Sequence, residues 1–144
     1  MATQRSCICG QRFSSEGEQA LHQRNCEAFK RDTARTQLVL PLETELDRLA
    51  KEAEAIASDF ASAFDRLIDG NTSESAYHVQ VAQEHLDGAT MRLRELADKT
   101  IAVAKNRYVI VDRLRREITE LVERLQRYEA TIKKAKTYFR PRHA

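Results

Sequence analysis

Three cysteines and one histidine near the start of the chain have the residue types and the spacing of a metal site. Cys7, Cys9, His22 and Cys26 form the pattern C-x-C-x12-H-x3-C. Thiolates and neutral imidazole are the ligands that Zn²⁺ prefers, and four of them complete its tetrahedron. Gly10 follows the second cysteine and suits a turn with positive φ, whose N–H groups point at the thiolates. His22 and Cys26, four residues apart, are expected on one helix face, so the sequence predicts a zinc site.

Residues 7–26 resemble the ββα zinc finger, in the variant whose last ligand is a cysteine. The x12 and x3 separations recur in that family, as does an aromatic residue four positions after the second cysteine, here Phe13. The resemblance implies a small hairpin and a helix that share one metal ion. The chain departs from the family in having one residue between the first two cysteines, and Gln19 at the position of the core leucine. We therefore expect a rebuilt finger core, made of Phe13, Leu21 and Phe29.

Three free thiols, or one disulfide and one free thiol, are the alternative to a metal site. Cys7 and Cys9 are too close to be bridged without strain, and an odd number of cysteines leaves one unpaired. The spacing therefore favours zinc. Catalytic zinc keeps one position open for water, so four protein ligands indicate a structural metal. With no phosphate-binding glycine loop or nucleophile motif elsewhere, we expect no enzyme activity and no small-molecule substrate.

The finger lacks the side chains that commonly read DNA bases. In the resembling family the base-reading positions fall at Ser15, Glu18 and Leu21, and none of these is arginine, lysine, asparagine or glutamine. A protein-binding or fold-capping finger is therefore expected. The basic C-terminal segment could contact phosphates, act as a nuclear import signal or form the solvated end of a helix. The candidate phosphate contacts are Lys133, Lys134, Lys136, Arg140 and Arg142.

The rest of the 144-residue chain has the composition of long helices. Nearly half of all residues are Ala, Glu, Lys, Arg or Leu, whereas only four are glycine and two are proline. This composition predicts helix or coiled coil and disfavours sandwiches, barrels and alternating strand–helix folds. The densest apolar run, 108–111, is four residues long, so no membrane partner is expected. The first residues lack the apolar segment of a secretory signal, so we expect a location in the nucleus or cytoplasm.

Apolar residues beyond the finger repeat with heptad spacing. From Leu42 they alternate steps of four and three over about four repeats, which predicts a helix packed along one seam. Any helix leaving the finger should end or kink before Pro41, where a new helix can begin. Gly70 and the capping residues after it predict a reversal and a second helix from about Ser73. We predict a zinc-finger module over 1–36, an antiparallel helical hairpin with a long C-terminal coiled-coil helix over 37–140, and a basic tail end over 141–144.

The second helix of this hairpin is predicted to be much longer than the first. Apart from Gly88, neither glycine nor proline interrupts 74–140, so one helix could extend roughly 100 Å, whereas the first covers only 42–69. The apolar seam beyond Val103 would stay uncovered, and each large side chain left in water forgoes about 1.5–3 kcal/mol of burial. We therefore expect a partner helix there. The predicted partner-binding residues are Ile110, Leu114, Ile118, Leu121, Leu125, Tyr128 and Ile132.

Three occupants of this seam remain open. A second copy of the chain, in a homo-oligomeric coiled coil through 103–139, is favoured because charges of both signs flank the seam. A helix of a different protein is the second. The third is the chain itself, if the long helix breaks near Lys105 and Asn106 and folds back as a three-helix bundle. The protein would then be a monomer.

Charge is distributed unevenly along the chain. Residues 37–112 carry six more acidic than basic side chains, and residues 113–144 carry six more basic than acidic ones. This asymmetry suggests association between chains or contact with a polyanion. The sequence as a whole predicts an all-α helical hairpin or coiled coil with a small N-terminal zinc finger. The predicted function is a zinc-binding intracellular adaptor that joins proteins through its coiled coil; the alternative is a nucleic-acid-binding regulator that uses the finger and the basic tail.

Overall fold

A computed structural model describes residues 5–139, which form one small β-hairpin and a helical remainder. The predicted all-α fold with a small N-terminal element is confirmed. No helix among the described residues carries an apolar stretch long enough to cross a lipid bilayer. The elements are β1 (Arg5–Ser6), β2 (Arg12–Phe13), α1 (Glu16–Gln23), α2 (Glu27–Ala34), a π segment (Arg35–Val39), α3 (Leu40–Ile68), α4 (Thr72–Val103) and α5 (Asp112–Tyr138).

A continuous helical segment leads from the N-terminal region into the bundle. α2, the π segment and α3 follow one another directly, so the helix does not end before Pro41, and the irregularity at this place is the π segment. Proline has no N–H to donate, and its ring crowds the carbonyl four residues earlier. In the π segment the N–H of Leu40 donates to the carbonyl of Arg35, and this wider turn precedes Pro41 in the first turn of α3. The predicted domain boundary after residue 36 therefore falls inside a helical segment.

α3 and α4 form an antiparallel hairpin. Gly70 takes a φ of +80°, and the side chain of Asn71 accepts a 3.1 Å hydrogen bond from the N–H of Glu74, so the chain reverses and α4 begins at once. Near the turn, the hydroxyl of Ser75 donates a 2.6 Å hydrogen bond to the carbonyl of Ala63 across the two helices. The largest side chains buried along this pair are Leu42, Leu46, Leu49, Ile56, Leu86, Leu93 and Leu96.

α4 ends at Val103, which corrects the prediction of one uninterrupted second helix. Residues 104–111, here called the linker, form turns and an irregular stretch. The side chain of Asn106 accepts a 2.9 Å hydrogen bond from the N–H of Tyr108, a local contact that competes with helical hydrogen bonding. The three residues after Tyr108 are all β-branched, which lowers their helix propensity. The chain therefore leaves the helix here and turns back.

α5 packs along both α3 and α4 to complete a three-helix bundle. The three helices contain 29, 32 and 27 residues, so each is about 40–48 Å long and covers the others over most of its length. The rings of Phe60 and Tyr128 meet edge to face at 5.5 Å, and Leu46 and Leu121 line one groove further down the same pair of helices. α5 therefore runs parallel to α3 and antiparallel to α4.

The seam that we expect to bind a partner lies inside this bundle. Five of its seven residues are at most 7% exposed and belong to the core, while Tyr128 packs against it and Ile110 is 78% exposed. Because α3 and α4 already cover the seam, its apolar side chains need no partner helix. Of the three occupants that the sequence left open, the structure has the third: the chain breaks near Lys105 and Asn106, and its own helices α3 and α4 cover the seam. The buried residues are Leu114, Ile118, Leu121, Leu125 and Ile132.

Candidate metal centre

A tight turn between β1 and β2 places the first two cysteines. The strands pair antiparallel, the N–H of Cys7 donates to the carbonyl of Gln11 at 2.8 Å, and the N–H of Gly10 donates to the carbonyl of Cys7 at 2.9 Å. Gly10 has a φ of +95°, as its position after Cys9 predicts. This turn places the thiols of Cys7 and Cys9 within 4.8 Å of each other.

α1 carries His22, and a short turn after it places Cys26. The hydroxyl of Ser15 caps α1 by accepting from the N–H of Glu18 at 3.2 Å, and the carboxylate of Glu18 accepts from the hydroxyl of Ser14 at 2.8 Å. α1 ends one residue after His22, and Cys26 is the N-cap of α2. The expectation that His22 and Cys26 share one helix face is therefore wrong. A turn between two helices brings them together instead.

The four predicted ligands converge in space. Their ligand atoms all lie within 4.8 Å of one another. The Sγ atoms of Cys7 and Cys26 are 3.7 Å apart, and Sγ of Cys9 is 3.4 Å from Nε2 of His22. A tetrahedron with typical Zn–S and Zn–N bonds has edges of about 3.8 Å between two sulfurs and about 3.6 Å between sulfur and nitrogen. The 3.7 Å and 3.4 Å separations are close to these edges, and 3.7 Å is far too long for a disulfide bond.

The backbone around the two buried thiols changes their acidity. The N–H of Phe29, at the start of α2, lowers the pKa of the Cys26 thiol, and this effect outweighs the burial that opposes it. The N–H of Cys9 also lowers the pKa of Cys7, but burial and the neighbouring Cys26 thiol outweigh it, so that the pKa of Cys7 is raised. The N-terminus of α2 therefore favours a thiolate at Cys26.

A small apolar core supports this centre. Phe13 is buried with Cys7 and Cys26, and Phe29 packs against them. The ring of Phe13 lies 4.8 Å from the imidazole of His22, measured between ring centroids, and so restricts the orientation of the imidazole. Leu21 is 63% exposed, so its predicted place in the core is wrong. We call residues 5–26 the metal module.

The predicted phosphate contacts lie far from the metal module along the bundle. Lys133, Lys134 and Lys136 are exposed in the last turns of α5, and Lys133 pairs with Glu129 at 3.5 Å. Arg140 and Arg142 lie outside the described residues, as does the predicted basic tail end. The structure does not bring the lysines together with the metal ligands.

α2, the helix that follows the metal module, contacts the linker, and the sequence did not predict these contacts. Arg107 pairs with Glu27 at 2.9 Å, and its guanidinium lies 4.7 Å from the ring centroid of Tyr108. The amine of Lys30 lies 5.6 Å from the same centroid. These residues are some 80 positions apart, so no local pattern relates them. The one signal in the sequence was the aromatic residue beside a basic one at 107–108.

Fold and site together define a three-helix bundle with an N-terminal module that has the geometry of a Cys₃His metal site. Comparisons with models of protein families, with curated proteins and with solved structures found no match to this chain. Its function is therefore argued from the geometry of the site and of the surfaces around it.

Proposed function

We propose that this chain is a zinc-binding adaptor, in which a structural zinc ion stabilises a module that binds other proteins. The observation that carries the proposal is the convergence of Cys7, Cys9, His22 and Cys26 within 4.8 Å. Three thiolates and an imidazole suit zinc far better than magnesium or calcium, which take oxygen ligands. A bound ion would link the hairpin, α1 and the start of α2.

The proposed role is non-catalytic. Four protein ligands fill the tetrahedron of a zinc ion and leave no position for a reacting water molecule. A short module with only three buried residues gains little free energy from its own core, so metal binding would supply much of its folding energy. The metal therefore acts on structure in this proposal.

Exposed apolar side chains at the metal-module end support a protein partner. Ile8 and Leu21 in the module are 59% and 63% exposed, and Ile110 in the linker is 78% exposed. Phe64, Ile68 and Tyr77, near the turn at Gly70, are exposed to a similar degree, so exposure alone does not single out one end. The proposed partner surface is the metal-module end because an apolar cleft lies there beside the linker, and the buried α5 seam has no part in it.

A nucleic-acid-binding regulator is the second candidate. It is supported by the exposed lysines of α5 and by the excess of six basic charges over 113–144. Against it, Glu18 at a base-reading position already accepts hydrogen bonds from Ser14, and a carboxylate repels phosphate. The two functions differ in how binding depends on salt.

One set of measurements tests the proposal. The zinc content of the purified chain is measured together with its mass by light scattering, with and without a chelator, and its affinity for duplex DNA and RNA is measured over a series of salt concentrations. The adaptor proposal expects one zinc per chain and weak nucleic-acid binding at physiological salt. Tight binding that falls steeply with salt would favour the regulator, and a chain prepared with zinc that contains none would overturn the metal site.

A further inference from the structure

A mostly apolar cleft lies between the π segment and the linker, near the metal module. It encloses about 290 Å³ between the C-terminal half of α2, the π segment and the linker. Sites for small molecules usually enclose about 300–1,000 Å³, so this cleft lies at the small end of that range and has room for one or two side chains. Its apolar lining consists of Val39, Tyr108, Val109 and Ile110.

The rim of this cleft is positively charged. Arg31 and Arg35 line it and are exposed, and neither forms an ion pair with any residue in the described part of the chain. Among the described residues that line it, Asp32 is the only acidic one. Lys30 adds a further positive charge beside Tyr108. An apolar floor with an arginine rim complements a ligand that has an apolar anchor and negative flanks.

We propose that this cleft docks an acidic peptide segment that inserts one bulky apolar side chain. This inference rests on the proposed adaptor function and names the class of partner. The anchor contacts Val109, Ile110 and the ring of Tyr108, and acidic side chains on either side of it pair with Arg31 and Arg35. Apolar anchors in small pockets commonly carry most of the energy of such contacts, while charges at the rim speed association.

The metal centre positions one wall of the cleft. Cys26 caps α2, and the same helix continues to Arg31 and into the π segment. The opposite wall is the linker, in which Tyr108 lines the cleft and Arg107 pairs with Glu27 at the start of the same helix. A zinc ion on Cys26 would therefore fix the start of the helix whose later turns bind the peptide.

The test measures peptide binding to the full zinc-loaded chain by fluorescence anisotropy. The probes are a labelled glutamate-rich peptide with one central leucine, and a matched peptide with serine in place of the leucine. We expect the serine peptide to bind about tenfold more weakly, and we expect Arg35→Glu and Ile110→Asp each to weaken the leucine peptide by about tenfold. Both side chains are exposed, so neither change should unfold the bundle, and circular dichroism checks this.

Lys134→Glu is the control for charge reversal, because Lys134 is exposed at the far end of α5. It should change the affinity for the leucine peptide by less than about twofold. The inference is overturned if no peptide binds, if both peptides bind equally, or if Lys134→Glu is as harmful as Arg35→Glu and duplex DNA competes equally well. That last result would indicate binding of any polyanion.

The adaptor proposal is judged separately from the cleft. If Arg35→Glu and Ile110→Asp still bind a protein partner that the wild-type chain binds, the cleft inference fails and the adaptor function stands. If the wild-type chain contains zinc but binds neither a protein nor the leucine peptide, the adaptor function itself fails.

Discussion

Nη2 of Arg107 lies 2.9 Å from the carboxylate of Glu27, so an ion pair joins the linker to the first residue of α2, 80 positions earlier. Glu27 directly follows the metal ligand Cys26. The linker, which leads the chain from α4 to α5, is therefore attached next to the metal centre. Both side chains are more than half exposed, so the pair itself contributes only about 0–1 kcal/mol.

Most of the stability of this junction should come from Tyr108. Its ring contacts both Lys30 and Arg107 and lines the apolar cleft. We expect Tyr108→Ala to lower the free energy of unfolding by about 1–2 kcal/mol and to speed hydrogen exchange across the linker. Glu27→Gln removes only the ion pair with Arg107, so it should lower the free energy of unfolding by less than about 1 kcal/mol. Equal effects of the two changes, measured by urea unfolding, would contradict this order.

The burial of the α5 seam leads to a second prediction. Leu121 is 6% exposed, so Leu121→Asp places a carboxylate in the core and should lower the free energy of unfolding by about 4 kcal/mol or more. The neighbouring Val122 is 36% exposed, and Val122→Asp should cost less than about 1 kcal/mol. Urea unfolding measures both. If Leu121→Asp left the stability unchanged and only converted an oligomer into monomers, the seam would lie between chains.

The heptad pattern and the capping residues were sufficient to predict α3, α4 and the turn at Gly70. They did not predict the end of α4, because Ala102 to Lys105 are acceptable helix residues and the apolar spacing continues past them. The signal for the break is Asn106 followed, three residues later, by three consecutive β-branched residues. The length of the predicted helix is a second signal for a break. A roughly 100 Å helix would expose its apolar seam to water, whereas three helices of similar length cover one another.

The metal ligands could be predicted because their chemistry restricts residue type and spacing. The surroundings of the site could not. His22 and Cys26 at i and i+4 fit a single helix, and the structure reaches the same convergence with a turn between α1 and α2. The sequence did not predict the cleft either, because Arg35 and Ile110 line the same cleft only after the chain has folded back.

The turn at Gly10 gives a third prediction. Gly10 has a φ of +95°, and nothing lies within 4 Å of the position that a Cβ atom would take, so any cost of Gly10→Ala comes from the backbone conformation. We expect this change to destabilise the metal module by about 1–2 kcal/mol. Gly17→Ala, in α1, is the matched control and should stabilise it by about 0.5–1 kcal/mol. Competition for zinc with a coloured chelator measures both, and equal zinc affinities in the two variants would show that the turn is unstrained.

The acidity of the two buried thiols gives a fourth prediction. The raised pKa of Cys7 means that the folded, metal-free chain holds this proton more tightly than the unfolded chain does, so its contribution to stability is lost as pH rises through that pKa. The lowered pKa of Cys26 acts in the opposite direction, and its contribution is lost as pH falls. Zinc must displace the proton of Cys7, so zinc affinity should rise with pH and binding should release protons. Calorimetry in buffers of different ionisation enthalpy counts them, and an absence of proton release would contradict a thiol at Cys7.

Removal of one ligand gives the last prediction, and Cys9 is the best choice because its side chain is exposed and belongs to no apolar core. Cys9→Ser keeps the size of the side chain but replaces a thiolate by a hydroxyl, which zinc binds poorly, so zinc affinity should fall by at least about 100-fold. Ile8→Ser is the control: Ile8 lies between the two cysteines, is 59% exposed and offers no ligand.

The same two variants, Cys9→Ser and Ile8→Ser, test whether the metal module and the bundle unfold independently. Because the bundle has its own core, which contains none of the metal ligands, Cys9→Ser should leave the main unfolding transition unchanged while the module loses protection from hydrogen exchange. Zinc content measured by mass spectrometry should be one per chain for Ile8→Ser and well below one for Cys9→Ser. If Cys9→Ser bound zinc as tightly as Ile8→Ser, the metal would be held without Cys9, and the four-ligand geometry would be wrong.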